Sequence, residues 1–167
     1  VVILEGVSDA FAPIAHDEAE RTCRTYGIAK PFFLYVGNAK QHKNVQTLID
    51  AYAGLGSTDF ELILVTAGNE AARLRPAHGV RLLMDVAEQH LPALYSAARA
   101  FVTASLYEGY CLPVLEAAAC GCPIIATHCG AIPEVAPRGA LLIEPTREAL
   151  AHALRSPPLP IPHDHHR

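Results

Sequence analysis

The chain has 167 residues, of which 51% are hydrophobic and 18% charged, with a formal net charge of −4. That balance argues against a nucleic-acid surface, which needs a basic stripe to displace counterions, and no apolar run reaches the roughly 20 residues of a membrane span. The length suits one domain with a sizeable core, and the apolar content fits a parallel sheet covered on both faces.

Apolar runs alternate with helical patterns from the N-terminus onward, the signature of a βαβ series. Val1–Leu4 is the only candidate for an entry strand, and Val-Val-Ile-Leu-Glu is too short and too acidic for a signal peptide. Asp17–Tyr26 reads as a helix, and Phe32–Gly37 as a strand ending in glycine. After a polar loop, Val45, Leu48, Ile49 and Tyr52 keep helical spacing. Glu61–Gly68 and Val80–Met84 are further strands, and Leu91–Ala98 is a helix entered through Pro92. Ala100–Ala104 and Pro123–Thr127 are strands, Ala131–Val135 is one helical turn, Ala140–Glu144 is the last strand, and Thr146–Leu154 is a helix capped by Thr146. The expected fold class is α/β: a Rossmann-like, three-layer α/β/α domain over residues 1–155, with a parallel sheet of about six strands. Residues 156–167, proline-rich and then histidine-rich, should form an extended or disordered tail. His163, His165 and His166 with Asp164 have spacing that suits a metal, but a terminal remnant is the preferred reading.

Right-handed crossovers put every strand's C-terminal end on one rim, where ligands of open α/β sheets bind. The loops at that rim are Gly37–Asn44, Gly68–Glu70, Met84–Val86, Ser105–Leu112 and His128–Pro133. The richest is the segment 108–123, which sets Glu108 and Glu116 around a glycine turn and a proline-started helix. A strand, a tight loop and a helix N-terminus make an anion site, and two carboxylates bracketing it suit sugar hydroxyls. Glu108 precedes the turn and Glu116 lies about one turn into the helix, so they cannot act on one atom as an acid/base pair. Cys23, Cys111, Cys120, Cys122 and Cys129 form no Cys-x-x-Cys pair, which favours buried thiols in a reducing cytosolic compartment.

The order of motifs carries a resemblance. Leu-Tyr-Val-Gly-Asn at 34–38 is followed by His-Lys-Asn at 42–44, Leu-Val-Thr-Ala-Gly at 64–68 and Leu-Pro-Ala-Leu-Tyr-Ser-Ala-Ala at 91–98. Ser-Leu-Tyr-Glu-Gly-Tyr at 105–110, Leu-Pro-Val-Leu-Glu-Ala at 112–117, Gly-Cys-Pro-Ile-Ile-Ala at 121–126 and Ile-Pro-Glu-Val at 132–135 follow in register. From about Val2 to Leu154 the chain resembles the C-terminal, donor-binding half of a GT-B retaining glycosyltransferase of family 4, the glycosyl transferases group 1.

The resemblance implies a role for each matching residue. Lys43 would bind the donor diphosphate, with Asn38 standing where many members carry an arginine and Lys40 as its substitute. Glu108 and Glu116 match the Glu-x7-Glu motif, the first lying near the sugar and the second on the ribose hydroxyls. Glu108 and Lys43 would then carry the catalysis. Gly109, Tyr110, Cys111 and Leu112 would offer backbone N–H groups to the diphosphate, and Asp85 and Val86 would lie at the nucleobase. Members usually have a small residue, often glycine, at Cys111, which must here avoid a positive φ or cost roughly 1–2 kcal/mol. A catalytic thiol at Cys111 has no histidine paired with it in sequence. Tyr95 and Tyr107 read as packing residues, and Glu134 with Pro133 as a structural helix start. No Asp-x-Asp occurs, and no cofactor or metal is implied.

The implied reaction moves a hexosyl group, with a lean toward mannosyl, from a nucleotide-sugar to a glycan or lipid-linked acceptor. The acceptor would be held by an N-terminal domain preceding Val1, without which this half should bind nucleotide but transfer poorly. The implied location is the cytoplasm, with the full-length enzyme resting on the inner membrane face. A GT-B sugar-nucleotide epimerase domain and a non-catalytic nucleotide-binding module are the alternatives.

Overall fold

A computed structural model describes residues 7–56 and 59–159. Val1–Leu4 and the histidines at 163, 165 and 166 lie outside the described residues, so the expectations placed on them are not addressed by it. The chain runs α1 (His16–Thr25), β1 (Phe32–Val36), α2 (Val45–Ala53), β2 (Glu61–Val65), β3 (Val80–Leu83), α3 (Leu91–Ala97), β4 (Ala100–Val102), α4 (Leu112–Ala119), β5 (Ile124–Thr127), α5 (Ile132–Val135), β6 (Leu141–Ile143) and α6 (Arg147–Arg155).

The six strands form one sheet in the order β3-β2-β1-β4-β5-β6, and every adjacent pair is parallel. Strands such as Phe-Phe-Leu-Tyr-Val and Glu-Leu-Ile-Leu-Val are apolar along their length because helices cover both faces. Alternation then divides the side chains. Leu34, Ile63, Phe101 and Ile124 point into one core with Tyr95 and Val114. Phe33, Tyr35, Leu62, Leu64, Val102 and Ile125 point into the other, under α2 and α6. The expected Rossmann-like three-layer architecture is the one observed.

Element ends differ from the sequence expectation by one to three residues. The strand expected to reach Gly68 stops at Val65, because Gly68 turns the chain at φ 91 into a short 3-10 turn over Asn69–Arg73. Thr146 caps α6 as expected, its hydroxyl accepting from the Ala149 N–H at 3.2 Å. Helix α4 ends in a Schellman turn: Cys122 N donates to Ala117 O and Gly121 N to Ala118 O, with Gly121 at φ 71. That closure sends the chain directly into β5 and fixes where α4 begins relative to the rim.

The strand order reverses between β1 and β4. The chain leaves β1 toward β2 and β3, then returns to β4 and continues outward through β5 and β6. The loops after β1 and β4 diverge at that point and leave a crevice beyond the carboxyl ends of the strands.

Candidate functional site

Lys43 and Glu108 meet in this crevice from loops 65 residues apart in sequence. Lys43 ends the 3-10 turn Gln41–Lys43 that follows β1, and the next residue, Asn44, turns the chain in the left-handed region at φ 54. Asparagine tolerates that conformation, and its Oδ1 is pinned by the Thr47 hydroxyl at 2.6 Å. Lys43 Nζ then donates to Glu108 Oε1 at 2.6 Å, with side-chain exposures of only 16% and 7%. The two loops are also latched through the backbone, Leu106 N donating to His42 O at 2.7 Å.

Glu108 has a second donor, the Ser105 hydroxyl, 2.6 Å from the same Oε1. Ser105 is fully buried, and its Oγ lies 3.1 Å from Thr103 Oγ1. Its carbonyl accepts from the Thr127 hydroxyl at 2.6 Å and the Cys129 thiol at 3.1 Å. The loop after β5 closes the same group from the other side: Ala131 N donates to Glu108 O at 3.1 Å, and a Cβ on Gly130 would collide with that carbonyl. Thr103, Thr127 and Gly130 carry no motif signal of their own, and Ser105 opens the motif at 105–110 without being singled out by it. Their importance follows from the sheet bringing β4 and β5 side by side.

Helix α4 begins at the edge of this cluster. Its N-cap, Cys111, makes no side-chain cap hydrogen bond, and Pro113 in the first turn has no N–H to offer. Among the described residues the N–H groups of Gly109, Cys111 and Leu112 have no intramolecular acceptor. Unfilled N–H groups at the start of a helix, next to a lysine, are the elements of an anion site. Tyr110, half-buried, stands in the same loop.

Cys111 corrects an expectation. It sits at φ 55, ψ 63, squarely left-handed, rather than avoiding positive φ. The turn into α4 demands that conformation, and burial of the thiol in the core under α4 holds the residue there. Burial first, then the nearby Glu108 charge, pushes the Cys111 thiol up to about 12, so it is a protonated packing group and no nucleophile.

Glu116 lies one turn into α4 and faces α3, where Tyr95 OH donates to its Oε2 at 2.8 Å. Burial raises its pKa, the Tyr95 hydrogen bond works against that rise, and Glu88 adds to it. Tyr95 is a core residue as expected, with rings of Phe11 and Phe101 edge-on to it. Tyr107, expected to pack, is 67% exposed: it falls in the loop after β4, where no helix face covers it. The two carboxylates are thus held by different partners.

The remaining sequence-selected residues are more dispersed. Asn38 is turned into its own loop, its carbonyl accepting from Tyr35 OH at 2.6 Å and its Oδ1 from Lys40 N at 3.2 Å. Lys40 does not join Lys43. It lines a separate groove of about 520 Å³ on the α2 side, with Glu70, Arg73 and Arg75. After β3, Asp85 is exposed and Val86 packs against the core beneath α3. Pro133 and Glu134 lie in the short α5, with Glu134 exposed. No group of three or more His, Cys, Asp or Glu side chains able to hold a metal occurs among the described residues.

The fold and this rim define a Rossmann-like α/β domain with the Lys43–Glu108 pair at the topological switch point. A sequence model of the family described as glycosyl transferases group 1 matches residues 30–156. The chain is 32% identical over 163 residues to the O-antigen chain mannosyltransferase B of Escherichia coli, covering 89% of this chain and 43% of the relative. Among solved structures it resembles sucrose-phosphate synthase from Thermosynechococcus elongatus, with a TM-score of 0.75, 26% identity, and coverage of 90% of this chain and 41% of the other. It also resembles the C-terminal domain of the glycosyl transferase group 1 family protein LpcC from Francisella tularensis, with a TM-score of 0.71, 24% identity, and coverage of 90% and 86%. The chain belongs to the glycosyl transferases group 1 family, and it spans less than half the length of the curated relatives it matches.

Proposed function

We propose that this chain is the donor-binding domain of a retaining glycosyltransferase that moves a hexosyl group, of mannosyl type, from a nucleotide-sugar to a glycan or lipid-linked acceptor. The observation that carries the reading is the Lys43–Glu108 ion pair at the switch point, beside the open N–H groups of Gly109, Cys111 and Leu112. A leaving diphosphate carries about two negative charges, and a lysine with preorganised N–H donors stabilises that charge as the glycosidic bond breaks. Glu108, with one oxygen held by Lys43 and Ser105, would set the other toward the sugar. Glu116, on the α3-facing side of α4, would accept from the ribose hydroxyls. The mannosyl preference follows the E. coli relative, a mannosyltransferase at 32% identity.

The acceptor would be bound by a part of the protein beyond this chain, because the relatives are more than twice as long and transfer needs a second wall to exclude water. Five free thiols among the described residues support a reducing, cytoplasmic setting. No described helix is long and apolar enough to cross a membrane.

A thermal-shift panel with GDP, UDP, ADP and dTDP tests the donor site, repeated on Lys43→Met and Glu116→Gln and read against each variant's own melting point. One nucleotide should raise Tm in the wild type and lose most of that rise in both variants. No rise with any of the four removes the donor-site reading, and a rise that survives both substitutions removes these residues from it.

A further inference from the structure

We propose that Ser105 is the positioning residue that keeps Glu108 set for the sugar when Lys43 turns to the diphosphate. This rests on the donor-site reading above. In the ligand-free arrangement one carboxylate oxygen, Oε1, takes both Lys43 and Ser105 at 2.6 Å. Among the described residues Oε2 has no partner, so it is the oxygen left to face a ligand.

The two donors on Oε1 differ in what can compete for them. An ammonium has three N–H groups on a flexible stem, and a diphosphate bearing about two charges draws it strongly. Once Lys43 leans away, an ionised carboxylate that is 7% exposed would follow the cation or swing to water unless something else holds it. Ser105 is built to do so. It is 0% exposed, and it stands three residues before Glu108 in the loop that follows β4. The loop after β5 fixes it through its carbonyl.

The direction of the hydrogen bonds is determined as well. A hydroxyl has a single proton, and an ionised Glu108 can only accept. Ser105 therefore donates to Glu108, and Thr103 Oγ1, 3.1 Å away, donates to Ser105. A donor that itself accepts a hydrogen bond is the stronger donor. The chain Thr103 to Ser105 to Glu108 runs from the sheet to the crevice without passing through Lys43 or any N–H group of α4. Sugar recognition and diphosphate recognition are thereby separable at Ser105.

The test measures dissociation constants by calorimetry for GDP, GDP-mannose, UDP and UDP-glucose on the 167-residue chain and its variants. Ser105→Ala should weaken the sugar-bearing member of the binding pair about tenfold, the scale of one lost hydrogen bond to a charged group, while the matching diphosphate stays within about twofold. Ser105→Thr, which keeps the hydroxyl, should restore most of the loss. Thr103→Val keeps the shape and removes only the supporting donor, and should shift the same ratio two- to threefold. It serves as the decisive variant if Ser105→Ala does not fold. Equal weakening of both ligands, or no change in the ratio in any foldable variant, overturns the assignment. Failure of the wild type to bind any of the four, or ADP or dTDP, removes the donor site itself, and the role of Ser105 falls with it.

Discussion

Replacing Lys43 by alanine strands a carboxylate. Glu108 is 7% exposed and its partner 16%. Breaking a buried pair by removing one member costs about 3–5 kcal/mol, because the remaining charge keeps its desolvation and loses its attraction. The Ser105 hydroxyl stays 2.6 Å from Oε1, which sets the expectation at the low end, about 3 kcal/mol. In a domain of this size each kcal/mol moves Tm by about 2–4 °C, so the melting point should fall by roughly 6–12 °C. The double variant Lys43→Met with Glu108→Gln should return to within about 1 kcal/mol of the wild type, since a neutral amide still bonds to Ser105 and methionine fills the lysine stem. Urea unfolding followed by circular dichroism measures both variants. A Lys43→Ala stability within about 0.5 kcal/mol of the wild type, or a double variant less stable than the single one, would refute the buried-pair reasoning.

Three further outcomes follow from the same geometry. Cys111→Gly relieves a left-handed residue by about 1–2 kcal/mol but surrenders a buried thiol and adds unfolded-state entropy of similar size, so urea unfolding should show a change under about 1 kcal/mol. Tyr95→Phe removes the donor at 2.8 Å from Glu116 and should cost about 1 kcal/mol, measured the same way. Glu116 has a raised pKa, chiefly from burial. Ribose hydroxyls need the ionised form as acceptor, so nucleotide affinity should be full at neutral pH and fall on acidification at a pH above the ordinary carboxylate range. Tyr95→Phe removes the hydrogen bond that opposes the rise and should move that fall to still higher pH, which titration of Kd against pH would show.

The sheet was legible because parallel strands buried on both faces are written as short apolar runs closed by glycine, as in Phe32–Gly37. Boundaries were less so: Thr66–Gly68 is compositionally continuous with β2, and only the positive φ of Gly68 marks the departure. The residues of the candidate site were legible one at a time, through the order of motifs. Their contacts were not. Lys43 and Glu108 are brought together by the β1–β4 adjacency, which no local pattern encodes. Ser105 was hidden for the same reason, since its carbonyl is held by β5 and its hydroxyl by a residue on the same strand end. The left-handed Cys111 illustrates a different limit. Its side chain gives no sign of φ, which is imposed by the turn between Glu108 and the proline-started α4. Tyr107 failed as a packing residue because an aromatic in a loop lacks a periodic face by which to judge its burial.

Amide NMR of the uniformly labelled chain, titrated with the nucleotide that raises its melting point, tests the account most directly. The N–H signals of Gly109, Cys111 and Leu112 should shift together and saturate at one Kd, and Lys43→Met should weaken that Kd. Shifts confined instead to the groove lined by Lys40, Arg73 and Arg75, with the start of α4 unmoved, would contradict the placement of the donor site at the switch point.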